Sequence, residues 1–332
     1  RSAQSVAMST RLFVHQTVAG LHPRMGGPSR TLVHLSDALA RVPGVGVVLL
    51  SQSRAGEPTV ASEVTCVQRQ VLESRSRLAL GLGLPTRQGL SRLMGVRLPS
   101  LVHNNGLWAP ANHWASRLAR RHAIPLVVQP HGMLEPWALG HKAWKKHIGM
   151  ALFQRQDLDT ARVLIATSAQ EYENIRKLGL RQPVAVIPNG VDLVSPGNAV
   201  RRSPRRGEGV RNALFLSRIH PVKGLPNLLQ AWARLSPRGW RLRIAGPDEG
   251  GHLPEVMALA RKLCIAESLD VVGEGDGERK SETYGDADLF VLPTFSENFG
   301  VGVAEALAHG LPVITTRGAP GADLQTHRCG WW

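Results

Sequence analysis

Residues 287–316 read ADLFVLPTFSENFGVGVAEALAHGLPVITT. The apolar run Leu289–Leu292 is strand-sized and stops at Pro293. A loop follows, Val301–His309 recurs at helical spacing, and Pro312–Thr315 is apolar and β-branched again. Strand, loop, helix and strand in this order form one turn of a parallel sheet with its crossover helix. The same alternation runs upstream. Strands are expected at Ala213–Ser217, Trp240–Ala245 and Leu269–Val272, with helices at Leu225–Leu235 and Leu253–Leu263 between them. The first half repeats it, with strands at Leu12–Gln16, Val45–Ser51, Leu101–Asn104, Pro125–Gln129, Val163–Thr167 and Val184–Pro188. Helical spacing falls at Leu32, Leu35 and Leu39, then over Ala111–His122, Lys142–Gln156 and Ala169–Leu178. Short apolar strands alternating with helices predict parallel sheets covered on both faces.

Periodicity lapses over Val194–Arg211, VSPGNAVRRSPRRGEGVR, which is rich in Arg, Pro and Gly. The expected organisation is therefore a domain over 1–190, a linker over 191–211 and a second domain over 212–332, each doubly wound α/β. The 332 residues suit two domains, and 43% hydrophobic with 20% charged residues is a globular balance. No apolar stretch approaches the ~18 residues of a membrane span. The first ten residues lack the apolar core of a signal peptide, and Met8 is a candidate native start. Cys66, Cys264 and Cys329 are few and far apart, which argues for a reducing compartment and against a zinc site. A cytoplasmic protein is expected.

The net charge of +15 is uneven. Residues 1–190 hold 23 Lys and Arg against 9 Asp and Glu, and residues 191–332 hold 17 against 16. A basic first half attracts phosphates, nucleic acid or anionic lipid; an Arg-rich background composition gives the same number.

Ligands of doubly wound sheets sit at the carboxyl ends of strands, so the candidate residues lie there. Glu297 falls in the loop after Leu289–Leu292, and Glu305 eight positions on in the following helix. Gly300 and Gly302 permit close backbone approach at that helix start, where free N–H groups suit phosphate or sugar oxygens. Glu305 can accept hydrogen bonds from two adjacent hydroxyls, as an acidic residue does with a ribose. Arg218 and Lys223 follow the strand Ala213–Ser217 and can neutralise a diphosphate. Asp248 reads as a loop cap. In the first half, Gly26 and Gly27 precede a helix without forming the dinucleotide GxGxxG, and no acidic residue follows the second strand, which weakens a dehydrogenase reading. His131 ends the strand PLVVQPHG, placed to touch substrate or to serve the fold. Asp157–Asp159 and Asp286–Asp288 spell DxD, but both lie where caps and turns want Asp, so no metal is expected.

Together these segments resemble glycosyltransferases of the GT-B fold, specifically glycosyltransferase family four. MGGPSR, PHGMLEPWAL, ATSAQE, VIPNGVD, SRIHPVKG and SENFGVGVAEALAHGLPVITT carry the resemblance, and the E-x7-E pair Glu297/Glu305 is its most specific element. PHGMLEPWAL is similar to the branch that builds bacterial surface polysaccharides. The resemblance implies two tandem Rossmann-like doubly wound α/β domains facing a cleft. It also implies a retaining, metal-independent transfer of a sugar from a nucleotide-diphosphate sugar to a glycan or lipid-linked acceptor, with no other cofactor. Arg218 and Lys223 would hold the diphosphate, and Glu305 the ribose. Glu297 with Asn298, Phe299 and Gly300 would hold the donor sugar, and Gly26, Gly27 and His131 would line the acceptor side. Family members usually run further and end in a helix crossing back to the first domain, so a C-terminal truncation is expected. GAPGADL also lacks the aromatic and acidic residues that often follow GAP in this branch.

Two other classes compete: a nucleic-acid-binding protein driven by the charge, and a truncated, non-catalytic domain pair. The former lacks an aromatic-rich sheet, with 5% FWY, and any helix–turn–helix or zinc pattern. Finally, Lys142, Lys145 and Lys146 lie on one face of Lys142–Arg155, and Trp144, Ile148, Ala151 and Leu152 on another. That pattern fits a helix lying on an anionic membrane, the inner face of the plasma membrane included, and equally one packing on its sheet.

Overall fold

A computed structural model describes residues 12–23, 27–62, 64–193, 209–275 and 278–332. Gly26 and most of the linker, including RRSPRR, lie outside the described residues. The chain divides into two compact units, Arg1–Gly190 and Val191–Trp332.

The N-terminal unit is built on strands β1 (Leu12–Val18), β2 (Val45–Arg54), β3 (Gln68–Ser74), β4 (Leu101–Asn105), β5 (Leu126–Gln129), β6 (Val163–Ala166) and β7 (Val184–Val186). They form one sheet in the order β3-β2-β1-β4-β5-β6-β7, all pairs parallel. The run Val47–Leu50 is wholly buried because each face of the sheet is covered. Val47 and Leu49 pack with Leu32 and Val33 of the Gly27–Ala40 helix, while Leu50 packs with Leu90 of the Leu84–Val96 helix on the other side.

The C-terminal unit repeats the plan with β8 (Arg211–Leu216), β9 (Trp240–Ala245), β10 (Leu269–Gly273), β11 (Leu289–Leu292), β12 (Val313–Thr315) and β13 (Gly330–Trp331). Its order is β10-β9-β8-β11-β12-β13, again parallel. Winding reverses between β1 and β4 in one sheet and between β8 and β11 in the other. Loops leaving neighbouring strands diverge there, which makes each reversal a ligand crevice at the carboxyl ends.

Several elements were not expected: β3, the Arg77–Gly81 and Leu84–Val96 helices, the Glu278–Gly285 helix and the terminal pair Ala322–Thr326 and β13. Strand β8 starts at Arg211, inside the expected linker. The expected Lys142–Gln156 helix starts one residue later, since Lys142 has φ 51°, and runs as α-helix Ala143–Gly149, π-helix Met150–Gln154 and α-helix Arg155–Asp159. Among the described residues, no helix is long and apolar enough to cross a membrane.

Candidate functional site

The residues around the β8/β11 reversal come together through a short chain of local causes. After β8, the His220 ring nitrogen Nδ1 accepts the Val222 N–H at 3.2 Å and opens a 3-10 turn, Pro221–Lys223. Gly224 closes it in the left-handed region, φ 70°, and also starts the Leu225–Leu235 helix. A side chain there would strike the carbonyl oxygen of Pro293, so the turn lies directly on the exit of β11. The exit loop is stitched to the same turn: the Phe295 N–H (2.8 Å) and the Thr294 hydroxyl (3.1 Å) both donate to the Val222 carbonyl. The Glu297 N–H donates to Gly318 at 2.7 Å. Lys223 and Glu297 are thereby pressed into an ion pair with side chains only 6% and 20% exposed.

Arg218, half-exposed, pairs instead with Glu249 at 2.5 Å. Glu249 follows Asp248, whose carboxylate caps the Leu253–Lys262 helix by accepting the N–H groups of His252 (2.8 Å) and Leu253 (3.1 Å). Gly300, buried with φ 82°, is the N-cap of the Val301–Ala308 helix, and Asn298 and Phe299 are half-buried beside it. Glu305, one turn into that helix, is held on both oxygens. Oε1 pairs with Lys280 at 2.5 Å and Oε2 accepts the Tyr284 hydroxyl at 2.9 Å. Tyr284 is buried and stacks on His309 with ring centroids 4.7 Å apart. Burial first, and the Glu305 charge second, push its phenol far above its ordinary value, so it stays a hydrogen-bond donor. A carboxylate oxygen has two acceptor sites, so Glu305 can still accept hydroxyls while its orientation is fixed.

In the N-terminal unit, the described contacts around His131 are hydrogen bonds. His131 follows β5 with φ 53°, and Gly132 continues at φ 76°. The turn turns the imidazole back so that its Nε2 lies 3.1 Å from Asn105 Oδ1 at the end of β4. Asn105 Oδ1 is an acceptor, so Nε2 carries the proton and Nδ1 is left as an acceptor nitrogen. Burial, and then the neighbouring His103, depress the His131 pKa to about 4, which makes the ring neutral at pH 7. The turn is clamped from below by the Ala169–Lys177 helix. Glu171 accepts the Gly132 N–H at 2.7 Å on one oxygen, and the Thr167 N–H and hydroxyl at 2.7 and 3.0 Å on the other. Asn174, one turn on, donates to Glu135 at 2.5 Å. Burial and the Glu171 charge raise the Glu135 pKa to about 7, against the opposing pull of Asn174 and Lys177. Gly27 opens the Gly27–Ala40 helix with no atom within 4 Å of where a Cβ would stand.

Both DxD pairs serve the fold. Asp157 is held by Arg120 (2.5 Å) and His113 (2.9 Å), and Asp159 by Arg155 (2.8 Å). Asp286 lies 3.5 Å from Arg243, and Asp288 accepts the Asn212 N–H at 2.9 Å. Among the described residues, no three His, Cys, Asp or Glu are grouped to hold a metal ion.

Arg218, Lys223, Glu297 to Gly300 and His131 lie on segments leaving strands, and Gly27 and Glu305 on the helices that follow such segments. Glu249, Lys280, Tyr284, Glu171, Glu135 and Asn174 emerge only from the structure. A signal existed for Glu171, since Ser168-x-x-Glu171 is the spacing of a helix capping box.

Two tandem doubly wound parallel α/β units are the architecture of the GT-B class of proteins. The family model described as Glycosyltransferase Family 4 matches residues 25–195, and that described as Glycosyl transferases group 1 matches residues 198–326. The chain belongs to glycosyltransferase family 4. A D-inositol 3-phosphate glycosyltransferase 2 of Catenulispora acidiphila is 31% identical over 234 residues, 65% of this chain and 54% of that protein. The chain thus spans about half the length of that relative. The sucrose-phosphate synthase of Thermosynechococcus elongatus is similar in structure, with TM-score 0.77 and 20% identity over 95% of this chain and 83% of that one. HepE of Anabaena, solved in complex with UDP-glucose, has TM-score 0.71 and 18% identity over 95% of this chain and 83% of its own.

Proposed function

We propose that the chain transfers a sugar from a nucleotide-diphosphate sugar to a hydroxyl of a glycan or lipid-linked acceptor. In this proposal the transfer retains the anomeric configuration, needs no metal ion, and serves surface polysaccharide synthesis in the cytoplasm of a bacterium. The observation that carries the reading is the buried Lys223–Glu297 pair at the β8/β11 reversal, with Glu305 oriented by Tyr284 and Lys280 one helix away. The family and the UDP-glucose complex of HepE support a nucleotide-sugar donor.

Arg218 and Lys223 supply the positive charge for a diphosphate, and Glu305 the acceptors for ribose hydroxyls. Glu297, with the Asn298–Gly300 backbone, holds the sugar. The bond from the anomeric carbon to the diphosphate oxygen breaks, and its electron pair leaves with the diphosphate. Preorganised cations stabilise that developing charge better than water does. Glu297 is already committed to Lys223, which lowers its value as a nucleophile. The acceptor oxygen therefore bonds to the same face that the diphosphate leaves, and its proton passes to the departing phosphate. Neutral His131 contributes hydrogen bonding and no charge, with Nδ1 accepting a substrate hydroxyl; Gly27 lets substrate approach backbone. A trapped covalent glycosyl-enzyme on Glu297 would overturn this route.

Thermal shift with UDP, GDP, ADP and CMP, with and without EDTA, tests the reading. A ligand at a hundred times its Kd adds about 2.7 kcal/mol, a shift of several degrees. The expected result is a shift for one diphosphate that survives EDTA and disappears in Glu305→Ala. No shift with any nucleotide, in a chain that melts cooperatively, removes the reading.

A further inference from the structure

We propose that the short helix Pro136–Gly140 and the helical segment Ala143–Asp159 form a docking face for an anionic lipid bilayer. The use of that bilayer to present a lipid-linked acceptor rests on the transferase reading above, but the docking itself does not.

An ordinary surface helix turns its apolar side inward. This segment does the reverse with several large apolar side chains, while Phe153 packs against His113. Trp144 is 64% exposed, Ile148 50% and Leu152 75%, and Trp137 on the preceding helix is 42% exposed. The inward side is anchored by other residues: Gln154 accepts the Trp108 N–H at 2.8 Å, Asp157 is held by Arg120 and His113, and Leu158 lies in the core. Sequence alone left open whether Trp144, Ile148 and Leu152 pack on the sheet, and their exposure rules that out. The π-helical turn Met150–Gln154 bears on their alignment. Residues four apart drift around an α-helix, and the wider π turn advances less per residue, which brings Leu152 back towards the line of Trp144 and Ile148.

The surrounding charge selects the partner. Between Glu135 and Asp157 the sequence has no Asp or Glu, but has Lys142, Lys145, Lys146 and Arg155. Lys142 and Lys145 are exposed, with the Lys145 ammonium 5.3 Å from the centre of the Trp144 ring. Lys146 instead turns in to donate to the Ala138 carbonyl. Tryptophan and isoleucine or leucine buried at headgroup depth, ringed by lysines and free of carboxylates, match an anionic membrane surface. A protein surface of mixed charge would set some of its own cations against these lysines, whereas an anionic lipid surface opposes them with negative charge alone.

Flotation of the full chain at low salt tests the proposal, using phosphatidylethanolamine–phosphatidylglycerol vesicles against pure phosphatidylcholine. Binding is expected to the anionic vesicles only and to weaken as salt rises. Lys142→Gln with Lys145→Gln should weaken it roughly thirtyfold, at about one basic residue's surface attraction each. Trp144→Ser with Leu152→Ser should weaken it at least as much. Brominated lipid should quench tryptophan emission in the wild type and much less in Trp144→Phe, a change small enough to keep the fold. Failure to float, equal flotation on neutral vesicles, or a double serine variant that floats like wild type each overturns the proposal. So does a dimer in solution that Trp144→Ser converts to monomer while vesicles leave the wild type unbound, since a second copy then covers the face. The nucleotide thermal shift, run on the same samples, separates the two readings. Vesicle binding without nucleotide response leaves docking standing and removes the transferase; the converse removes docking alone.

Discussion

The two units place their candidate residues in opposite electrostatic settings. In the C-terminal unit, Lys223, Arg218 and Lys280 each face a carboxylate, Glu297, Glu249 and Glu305. In the N-terminal unit, the residues around His131 are amides and imidazoles, and the nearby carboxyls, Glu171 and Glu135, are held by N–H, hydroxyl and amide donors. Yet the excess of Lys and Arg resides in the first unit. Net charge and site charge are thus separate properties. The basic excess is spread over surfaces such as the Lys142–Lys145 face, while the charged chemistry sits in the nearly neutral half.

The comparison breaks most sharply at Lys223. In the proposed transfer, Lys223→Ala removes a diphosphate contact, and it strands a mostly buried Glu297. Turnover should fall at least a hundredfold, at about 3 kcal/mol for one lost oriented donor. Stability should fall by about 2 kcal/mol, less than for a fully buried pair because Glu297 keeps some water contact. Kinetics with the nucleotide sugar found by the thermal screen, together with urea unfolding, checks both halves. Arg218→Ala sharpens the contrast within the unit. The same hundredfold loss of turnover is expected, but the half-exposed Arg218–Glu249 pair contributes under about 1 kcal/mol to stability. A mutant within threefold of wild type removes Arg218 from the mechanism.

Acid should separate the units. Burial lowers His15, His103 and His131 to about 4 in the folded state, from an ordinary 6.5. Between those values the unfolded chain binds more protons, so this contribution is full above pH 6.5 and is lost as pH falls towards 4. Glu135, raised to about 7 from 4.5, acts in the opposite sense, since its folded form holds a proton that the unfolded form has shed. With three histidines against one glutamate, N-terminal stability should fall by up to about 2.7 kcal/mol per unit as pH drops from 6.5 to 4.5. Hydrogen exchange read peptide by peptide should show early opening in β1 to β5, with β8 to β12 lagging. Simultaneous opening would mean that the units unfold as one. The smallest effect expected is at His15, whose two buried ring nitrogens have no hydrogen-bond partner and whose ring meets Phe13 edge-on at 5.1 Å. His15→Phe should stabilise the N-terminal unit by about 1 kcal/mol and reduce the acid slope by one proton.

Legibility in the sequence followed the physics of burial. Leu225–Leu235 and Trp240–Ala245 were readable to the residue because both carry a continuous apolar signal. Strand β3, QRQVLES, sits at a sheet edge with little buried surface, and the Glu278–Gly285 helix is polar except for Tyr284, so neither left a period to read. The strand-exit rule located Arg218, Lys223, Glu297 and Glu305, since position along the chain suffices for that. Their partners were invisible. Glu249 lies 31 residues from Arg218, and Lys280 lies 25 before Glu305, distances set by sheet order and not by any local pattern.

The three pairs around the β8/β11 reversal also act as a logical conjunction. A bare phosphate that takes Arg218 or Lys223 must displace a carboxylate and leave that carboxylate without its cation. A neutral polyol can reach the acceptor sites that Lys280 and Tyr284 leave on Glu305, but it offers nothing to the cations. In the proposed transfer, a molecule that offers negative oxygens and hydroxyl donors together can satisfy both members of the broken pairs at once. Under that proposal, such self-neutralisation would turn away the abundant small anions of a cell before shape is consulted, in the half of the chain whose charges nearly cancel.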